Sequence, residues 1–99
     1  MKTILILGAG LSASSLIRYL LERSSENNWQ VRVVDRDIDL VKRKLNNHPN
    51  GRALAINALD SNERRPEIEK ADLVISMLPA KFHVDVAKDC INLKTNLIT

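Results

Sequence analysis

The sequence predicts an α/β fold, a doubly wound parallel sheet with helices on both faces in a three-layer α/β/α arrangement. Short apolar runs alternate with segments of helical periodicity along the whole chain, as strands and helices do around a parallel sheet. A glycine-rich turn joins the first apolar run to the first helical segment. The length of 99 residues, with 44% hydrophobic and 27% charged residues, suits one globular domain spanning residues 1–99.

Five strands and four helices are predicted in strict alternation, and each has its own signal. The first strand is apolar at successive positions, which is typical of a strand buried on both faces. The first helix carries four apolar residues at helical spacing, and the turn Asn-His-Pro-Asn-Gly at 47–51 separates the second helix from the third strand. Pro79 ends the fourth strand and can begin the last helix. The predicted strands cover 3–7, 30–35, 53–57, 73–77 and 95–99, and the predicted helices 12–23, 38–46, 61–70 and 81–93.

The sequence stops at the fifth strand, whereas a two-half dinucleotide-binding sheet has six. We therefore expect a truncated Rossmann domain, the N-terminal piece of a longer enzyme whose substrate domain is absent here.

The turn after the first strand has the spacing Gly8-x-Gly10-x-x-Ala13. Gly8 allows a sharp turn off the strand, Gly10 allows a pyrophosphate to approach the backbone, and Ala13 allows close packing of helix on sheet. The following helix N-terminus offers free N–H groups and a partial positive charge. This pattern predicts a phosphate cradle.

An acidic residue, Asp35, ends the second strand 22 residues after Ala13, where a dinucleotide-binding fold meets the adenosine ribose. Its carboxylate can accept both ribose hydroxyls and would repel a 2′-phosphate. Arg36 could pair with a 2′-phosphate or stack on the adenine. The sequence favours NAD, with NADP as the less favoured cofactor.

The later strand ends supply the remaining candidates. Asn57 and Ala58 follow the third strand, on the expected adenine side, and Asp60 is interpreted as the cap of the next helix. Leu78 and Pro79 leave the fourth strand near the pyrophosphate and the nicotinamide ribose.

No catalytic residue is assigned. His83 has no carboxylate or nucleophile to pair with, so we expect it to be structural. Because Cys90 is the single cysteine, an internal disulfide and a cysteine-based metal site are excluded. We predict that Cys90 lies in the core. The charged run at 63–65 is interpreted as a solvated face.

Several partners and compartments are excluded by composition. Only 3% of residues are aromatic and the basic residues are dispersed, despite a net charge of +3, so we expect no nucleic-acid partner. No apolar run approaches the roughly 20 residues that span a bilayer, and no secretory signal is present. The lone cysteine fits a cytoplasmic protein.

The segment Val-Ile-Ser-Met-Leu-Pro at 74–79, followed by Phe82 and His83, resembles the N-terminal part of saccharopine dehydrogenases, as do residues 86–91 and 96–99. The opening residues 7–17 look like bacterial members. The likeness covers all 99 residues, about the first quarter of such an enzyme. These enzymes oxidatively cleave saccharopine with a nicotinamide cofactor, in lysine metabolism.

The resemblance implies roles for particular residues. The pyrophosphate would be held by Gly8, Gly10, Leu11, Ser12 and Ala13. The ribose would meet Asp35 and Arg36, and the adenine and nicotinamide-ribose sides would be lined by Asn57, Ala58, Leu78 and Pro79. At 57–60 the chain reads Asn-Ala-Leu-Asp where family members often read Asp-Val-x-Asp, which weakens the assignment of the Asn57 side chain. Family members that use NADP commonly lack the acid at the Asp35 position.

The resemblance also implies that substrate-binding and proton-transfer residues lie beyond Thr99, so that the 99 residues alone bind cofactor without catalysis. The partners expected are a nicotinamide dinucleotide and the remainder of the enzyme, with a homo-oligomer possible through the missing domain. The alternative is a nucleotide-sensing regulatory domain of a potassium channel or transporter. Such domains share the glycine turn and the acid on the second strand but lack Leu78-Pro79-x-x-x-His83.

Overall fold

The computed structural model describes residues 1–10 and 13–99, which form five strands, four α-helices and a 3₁₀ turn. The strands are β1 (Lys2–Leu7), β2 (Trp29–Val34), β3 (Gly51–Leu54), β4 (Leu73–Ser76) and β5 (Asn96–Ile98). The helices are α1 (Ala13–Asn27), α2 (Ile38–Leu45), α3 (Ser61–Lys70) and α4 (His83–Asn92), and the 3₁₀ turn Ala80–Phe82 leads into α4. The predicted alternation of strand and helix is confirmed.

One parallel sheet has the strand order β3-β2-β1-β4-β5. The central strand β1 pairs with β2 on one side and with β4 on the other, so that Ile4 lies opposite both Val31 and Leu73. The chain winds outward from β1 to β3 and then returns to β4 on the opposite side. The strand order therefore reverses between β1 and β4, and the carboxyl ends of those strands frame the switch point.

Helices cover both faces of the sheet, which confirms the three-layer architecture. The apolar residues of α1 and α2 pack on one face, where Ile17, Leu21 and Val41 meet Ile4 and Ile6. The residues of α3 and α4 pack on the other face, where Ile68, Val86 and Cys90 meet Leu5 and Leu7. Neighbouring residues of β1 thus enter opposite cores, as the period of two along a strand requires. Cys90 is buried in the core, as predicted.

Helix α1 continues to Asn27, so the predicted end of this helix at residue 23 is wrong. The Ser24 hydroxyl is buried and donates to the Leu21 carbonyl at 2.7 Å, and the Asn27 amide donates to the Arg23 carbonyl at 2.9 Å. These polar side chains satisfy their hydrogen bonds on the helix itself, which a hydropathy pattern does not register. The next residue, Asn28, has a positive φ of 57°, a common conformation for asparagine after a helix.

Strand β3 spans Gly51–Leu54, whereas the sequence predicts residues 53–57. The preceding turn delivers the chain to the sheet early, because the Gly51 N–H donates to the His48 carbonyl and Val31 N–H donates to the Asn50 carbonyl at 2.8 Å. A Cβ at Gly51 would lie 2.9 Å from the end of the Leu45 side chain, which would have to shift to admit it, so glycine allows the two to pack closely. The residues after Leu54 are thereby left to form a loop.

Arg64 is buried, so the prediction that residues 63–65 form a solvated face is wrong for this side chain. Its guanidinium Nε donates to Asp89 on α4 at 2.7 Å, and Arg65 donates to the same carboxylate at 2.9 Å. Burial raises the pKa of Asp89, but hydrogen bonds from Ser61, Arg64 and Arg65 and the Arg64 charge outweigh it and hold that pKa below its ordinary value. A charged pair therefore joins α3 to α4 inside the molecule.

Candidate cofactor site

A cleft of about 190 Å³ opens beside the carboxyl ends of the central strands, next to the switch point. The residues that line it come from the ends of four strands. They are Gly8, Val34, Asp35, Arg36, Asn57, Ala58, Leu59, Leu78 and Pro79. Seven of these are residues that the sequence assigns to a cofactor, although they are scattered over 72 positions of the chain. The parallel topology is what brings them together.

The glycine turn begins at Gly8, directly after β1. Its φ is +96°, a conformation that L side chains rarely adopt, and its N–H donates to the Val34 carbonyl at 2.8 Å. A Cβ here would lie 3.3 Å from the Leu78 side chain and 3.4 Å from the Met77 carbonyl. Gly8 is therefore required both for the turn off β1 and for the close approach of the segment that follows β4.

Gly10 faces open space, with no heavy atom of the described residues within 4 Å of a Cβ placed there. Its carbonyl accepts the Ala13 N–H at 3.0 Å, which starts the first turn of α1. Ala13 is fully buried against the sheet, in agreement with its predicted packing role. The assignments of Leu11 and Ser12 lie outside the described residues.

Asp35 connects the end of β2 to the glycine turn. One carboxylate oxygen accepts the Ala9 N–H at 2.9 Å, and the other accepts the Asp37 N–H at 3.0 Å. Neighbouring Arg36 is exposed and forms no ion pair with any of residues 1–10 and 13–99. The carboxylate is thus held at the mouth of the cleft while the guanidinium stays available to a ligand.

The wall beyond β3 is a loop that folds on its own side chains. The Asn57 amide oxygen accepts the Leu59 N–H at 3.1 Å, and Asp60 accepts the Asn62 N–H at 2.9 Å as the cap of α3. The capping role predicted for Asp60 is confirmed. Buried Arg64 donates to the Ala58 carbonyl at 3.2 Å, so the ion pair between α3 and α4 also supports this wall.

The opposite wall is the segment after β4. Leu78 and Pro79 both line the cleft, and Pro79 immediately precedes the 3₁₀ turn. A ring nitrogen of His83 lies 3.0 Å from the Leu78 carbonyl oxygen, across the first turn before α4. The histidine fixes the backbone of this wall, which agrees with the structural role expected of it.

The cleft offers space and a hydrogen-bond acceptor of the kinds that a dinucleotide can use. Open space at Gly10 beside the start of α1 leaves room for phosphates, and the carboxylate of Asp35 can accept hydroxyl hydrogens. No cluster of three histidine, cysteine or acidic residues suited to a metal occurs in the described part of the chain. Two lining residues, Val34 and Leu59, were not predicted from sequence, because an apolar residue at a strand end or in a loop carries no chemical signal of its own.

Residues 4–99 match the family model described as the saccharopine dehydrogenase NADP binding domain. The chain belongs to this family. The match confirms the family suggested by the segment at 74–83, and it gives no support to a sensor domain of a channel or transporter. A domain that binds a nicotinamide dinucleotide agrees with the cleft described above.

Curated relatives are about 30% identical to the chain over the residues that align with it. A saccharopine dehydrogenase [NADP(+), L-glutamate-forming] of Schizosaccharomyces pombe is 33% identical over 91 residues, which are 92% of this chain and 20% of the relative. A mitochondrial alpha-aminoadipic semialdehyde synthase of Mus musculus is 30% identical over 101 residues, which are 99% of this chain and 10% of the relative. The chain therefore spans a tenth to a fifth of the length of these enzymes.

Solved structures give the same fold. The apo saccharopine dehydrogenase (L-Glu forming) of Saccharomyces cerevisiae superposes with a TM-score of 0.83 and 26% identity, over 98% of this chain and 21% of that one. A fibrillarin/Nop5p complex, with a TM-score of 0.62 and 16% identity over 93% of this chain and 44% of that one, shares only the fold. Among the described residues of this chain, no helix is both long and apolar enough to cross a membrane.

Proposed function

We propose that residues 1–99 are the cofactor domain of a saccharopine dehydrogenase-type oxidoreductase, and that the cleft beside β1 and β4 binds a nicotinamide dinucleotide. The observation that carries the proposal is the cleft itself. Seven residues that the sequence assigns to the cofactor line it together, from the ends of four strands.

Each wall has a distinct part in binding. Gly8, Gly10 and Ala13 form and support the turn that faces the phosphates, together with Leu11 and Ser12 as assigned from sequence. Asp35 accepts from the adenosine ribose hydroxyls, beside Arg36. Asn57 and Ala58 flank the adenine, and Leu78 and Pro79 flank the nicotinamide ribose. A dinucleotide held here supplies hydride acceptance or donation, while the residues of this chain bind and orient it.

The surroundings of Arg36 support NAD as the preferred cofactor. Asp35, Asp37 and Asp39 place three carboxylates within five residues, against the single guanidinium of Arg36. Asp37 is fixed as the cap of α2, where its carboxylate accepts the Leu40 N–H at 3.1 Å. NADP carries a 2′-phosphate on this ribose, which would bring a further negative charge among these carboxylates. We therefore expect the carboxylates to repel NADP and to accept NAD, which lacks that phosphate.

NADP is the second candidate, because the family is described as NADP binding and two relatives are named for NADP(+). The guanidinium of Arg36, without an ion-pair partner in the described residues, is the group that would receive a 2′-phosphate.

Calorimetric titration of the protein with NAD and with NADP tests whether the cleft binds a dinucleotide and which of the two it prefers. We expect NAD to bind at least about tenfold more tightly, a difference that corresponds to about 1.4 kcal/mol. Tighter binding of NADP would transfer the assignment to the second candidate. The absence of binding by either dinucleotide would overturn the proposed function.

The activity of a longer protein is part of the same proposal. We infer that a substrate domain follows the cofactor domain, that it carries the residues that act on saccharopine, and that any self-association uses that domain. The identities over a tenth to a fifth of the relatives support this organisation.

A single buried cysteine supports the cytoplasm as the compartment.

A further inference from the structure

A second groove, of about 420 Å³, lies between α1 and the end of α2 and includes Ser14 in the first turn of α1. Leu21 and Leu45 form an apolar part of its lining, and the charged groups there are three cations and the carboxylate of Glu22. Lys44 stands where this groove meets the first turn of α1.

Lys44 is bound to the glycine turn. Its ammonium group donates to the Gly10 carbonyl at 2.9 Å and also to the Ser14 hydroxyl. The last turn of α2 carries three cations, but Lys42 and Arg43 are exposed and Lys44 alone is partly buried against α1. The contact spans 34 positions of the sequence and ties α2 to the phosphate-facing turn.

The charge of Lys44 is not balanced by an acid. Both of its acceptors are neutral, and no carboxylate among residues 1–10 and 13–99 lies within 4.0 Å of it. The two remaining residues, Leu11 and Ser12, carry no carboxylate. An anion that approached the Gly10 backbone would come close to this ammonium group and be attracted by it.

The same contact orients the Gly10 carbonyl. That oxygen accepts from both Ala13 N–H and Lys44, so its negative end is directed into the helix and towards the ammonium. Lys44 thus offsets the negative end of this carbonyl and adds a positive charge to the partial charge of the α1 N-terminus.

We propose that Lys44 is a positioning residue of the cofactor site, which holds the glycine turn in its phosphate-accepting form and supplies the positive charge that balances the pyrophosphate. This inference rests on the proposed function, because it requires a dinucleotide in the cleft.

The test separates phosphate binding from general loss of structure. NMR titrations, which measure constants into the millimolar range, are run with NAD, ADP and adenosine on the wild type and on Lys44→Met, Lys44→Arg and Lys42→Met. Lys42→Met is the matched control, since it removes an equal charge from the same helix at an exposed position.

For Lys44→Met we expect NAD and ADP to bind about fivefold more weakly, the size expected for one partly screened charge, while adenosine affinity stays unchanged. Lys44→Arg should restore most of the phosphate affinity, and Lys42→Met should behave like the wild type. The dependence of NAD affinity on salt concentration should be shallower in Lys44→Met.

Equal loss of NAD, ADP and adenosine affinity in Lys44→Met would show a structural role only and overturn the inference, as would unchanged affinity for all three. Either result leaves the proposed function standing if the wild type binds NAD. A wild type that binds no dinucleotide overturns the proposed function and the inference with it.

Discussion

The two glycines of the turn differ in what a side chain would meet, so replacing each by alanine should have different effects. Gly8→Ala forces an L residue to a φ of +96° and drives a methyl group towards Leu78. We expect it to lower the free energy of unfolding by about 1–3 kcal/mol. Gly10→Ala places its methyl group in open space and should leave stability nearly unchanged.

The same pair separates folding from binding. The Gly10→Ala methyl group would occupy the space assigned to the pyrophosphate, so NAD affinity should fall by at least about tenfold in a folded protein. Urea denaturation and calorimetry on both variants measure the two effects. Normal NAD affinity in Gly10→Ala would mean that the phosphates do not approach this turn.

Asp35→Asn should weaken NAD binding by about tenfold or more, because a charged acceptor for the ribose hydroxyls is lost. Both oxygens of Asp35 accept backbone N–H groups, whereas an amide has a single oxygen, so one N–H would face an NH₂ donor. The variant should therefore also be less stable, by about 1–3 kcal/mol. Its preference for NAD over NADP should become smaller.

Glu26→Gln is the matched control for charge, since Glu26 is exposed near the far end of α1. Titration of both variants with NAD and NADP decides the assignment. If Asp35→Asn binds NAD like Glu26→Gln does, the ribose does not contact Asp35.

At the scale of elements, the ion pair between Arg64 and Asp89 is a buried polar connection between α3 and α4. The Arg64 and Asp89 side chains are 3% and 8% exposed. Arg64→Met leaves a buried carboxylate with fewer partners, and we expect a loss of about 3–5 kcal/mol of unfolding free energy. Lys70→Met, which breaks an exposed contact to Glu67, should change it by less than about 1 kcal/mol. If chemical denaturation shows similar losses of unfolding free energy in Arg64→Met and Lys70→Met, the burial of the Arg64 ion pair does not determine its contribution.

The pH dependence of stability follows from the same carboxylate. The pKa of Asp89 is lowered in the folded protein: burial raises it, but the hydrogen bonds from Ser61, Arg64 and Arg65 outweigh burial. The contribution is complete above the ordinary aspartate pKa of 3.8 and is lost as the pH falls through the lowered value. Denaturation measured from neutral pH to pH 2 should show that the free energy of unfolding falls steeply with acid in the wild type and less steeply in Asp89→Asn. Equal slopes in the two proteins would argue against this role of Asp89.

The sequence predicts an element well when its signal, an apolar pattern or a capping residue, lies within or next to the element itself. β1 and α2 lie where their apolar residues predict them, and α3 begins where the Asp60 cap predicts it. The extension of α1 and the early start of β3 depend on Ser24 bonding its own helix and on Gly51 fitting beneath Leu45. Such contacts are set by packing, which a pattern of apolar and polar letters does not encode.

At the scale of the molecule, the sheet order places β1 at the centre and β3 and β5 at the two edges. Amides of β1 should therefore exchange with deuterium most slowly, and those of β3 and β5 fastest. Hydrogen exchange followed by NMR measures this order directly. Faster exchange in β1 than in β3 would contradict the sheet order.

The candidate site could be predicted largely from sequence because topology determines it. Once strands are parallel and crossovers are right-handed, the residues at the strand ends must converge, as Gly8, Asp35, Asn57 and Leu78 do. Lys44 and Arg64 could not be predicted in this way. Their partners lie 34 and 25 positions away, and each resembles an ordinary charged residue on a helix.

The bond between Asp35 and the Ala9 N–H has a kinetic consequence. It joins the end of β2 to Ala9 through the chain's own groups, so the first part of the glycine turn is held by the protein itself. We expect this part to need no slow rearrangement on binding, and the observed association rate should then rise linearly with cofactor concentration, without a plateau set by a conformational step. Residence time would then depend on how readily the ribose hydroxyls give up an acceptor that they share with the backbone.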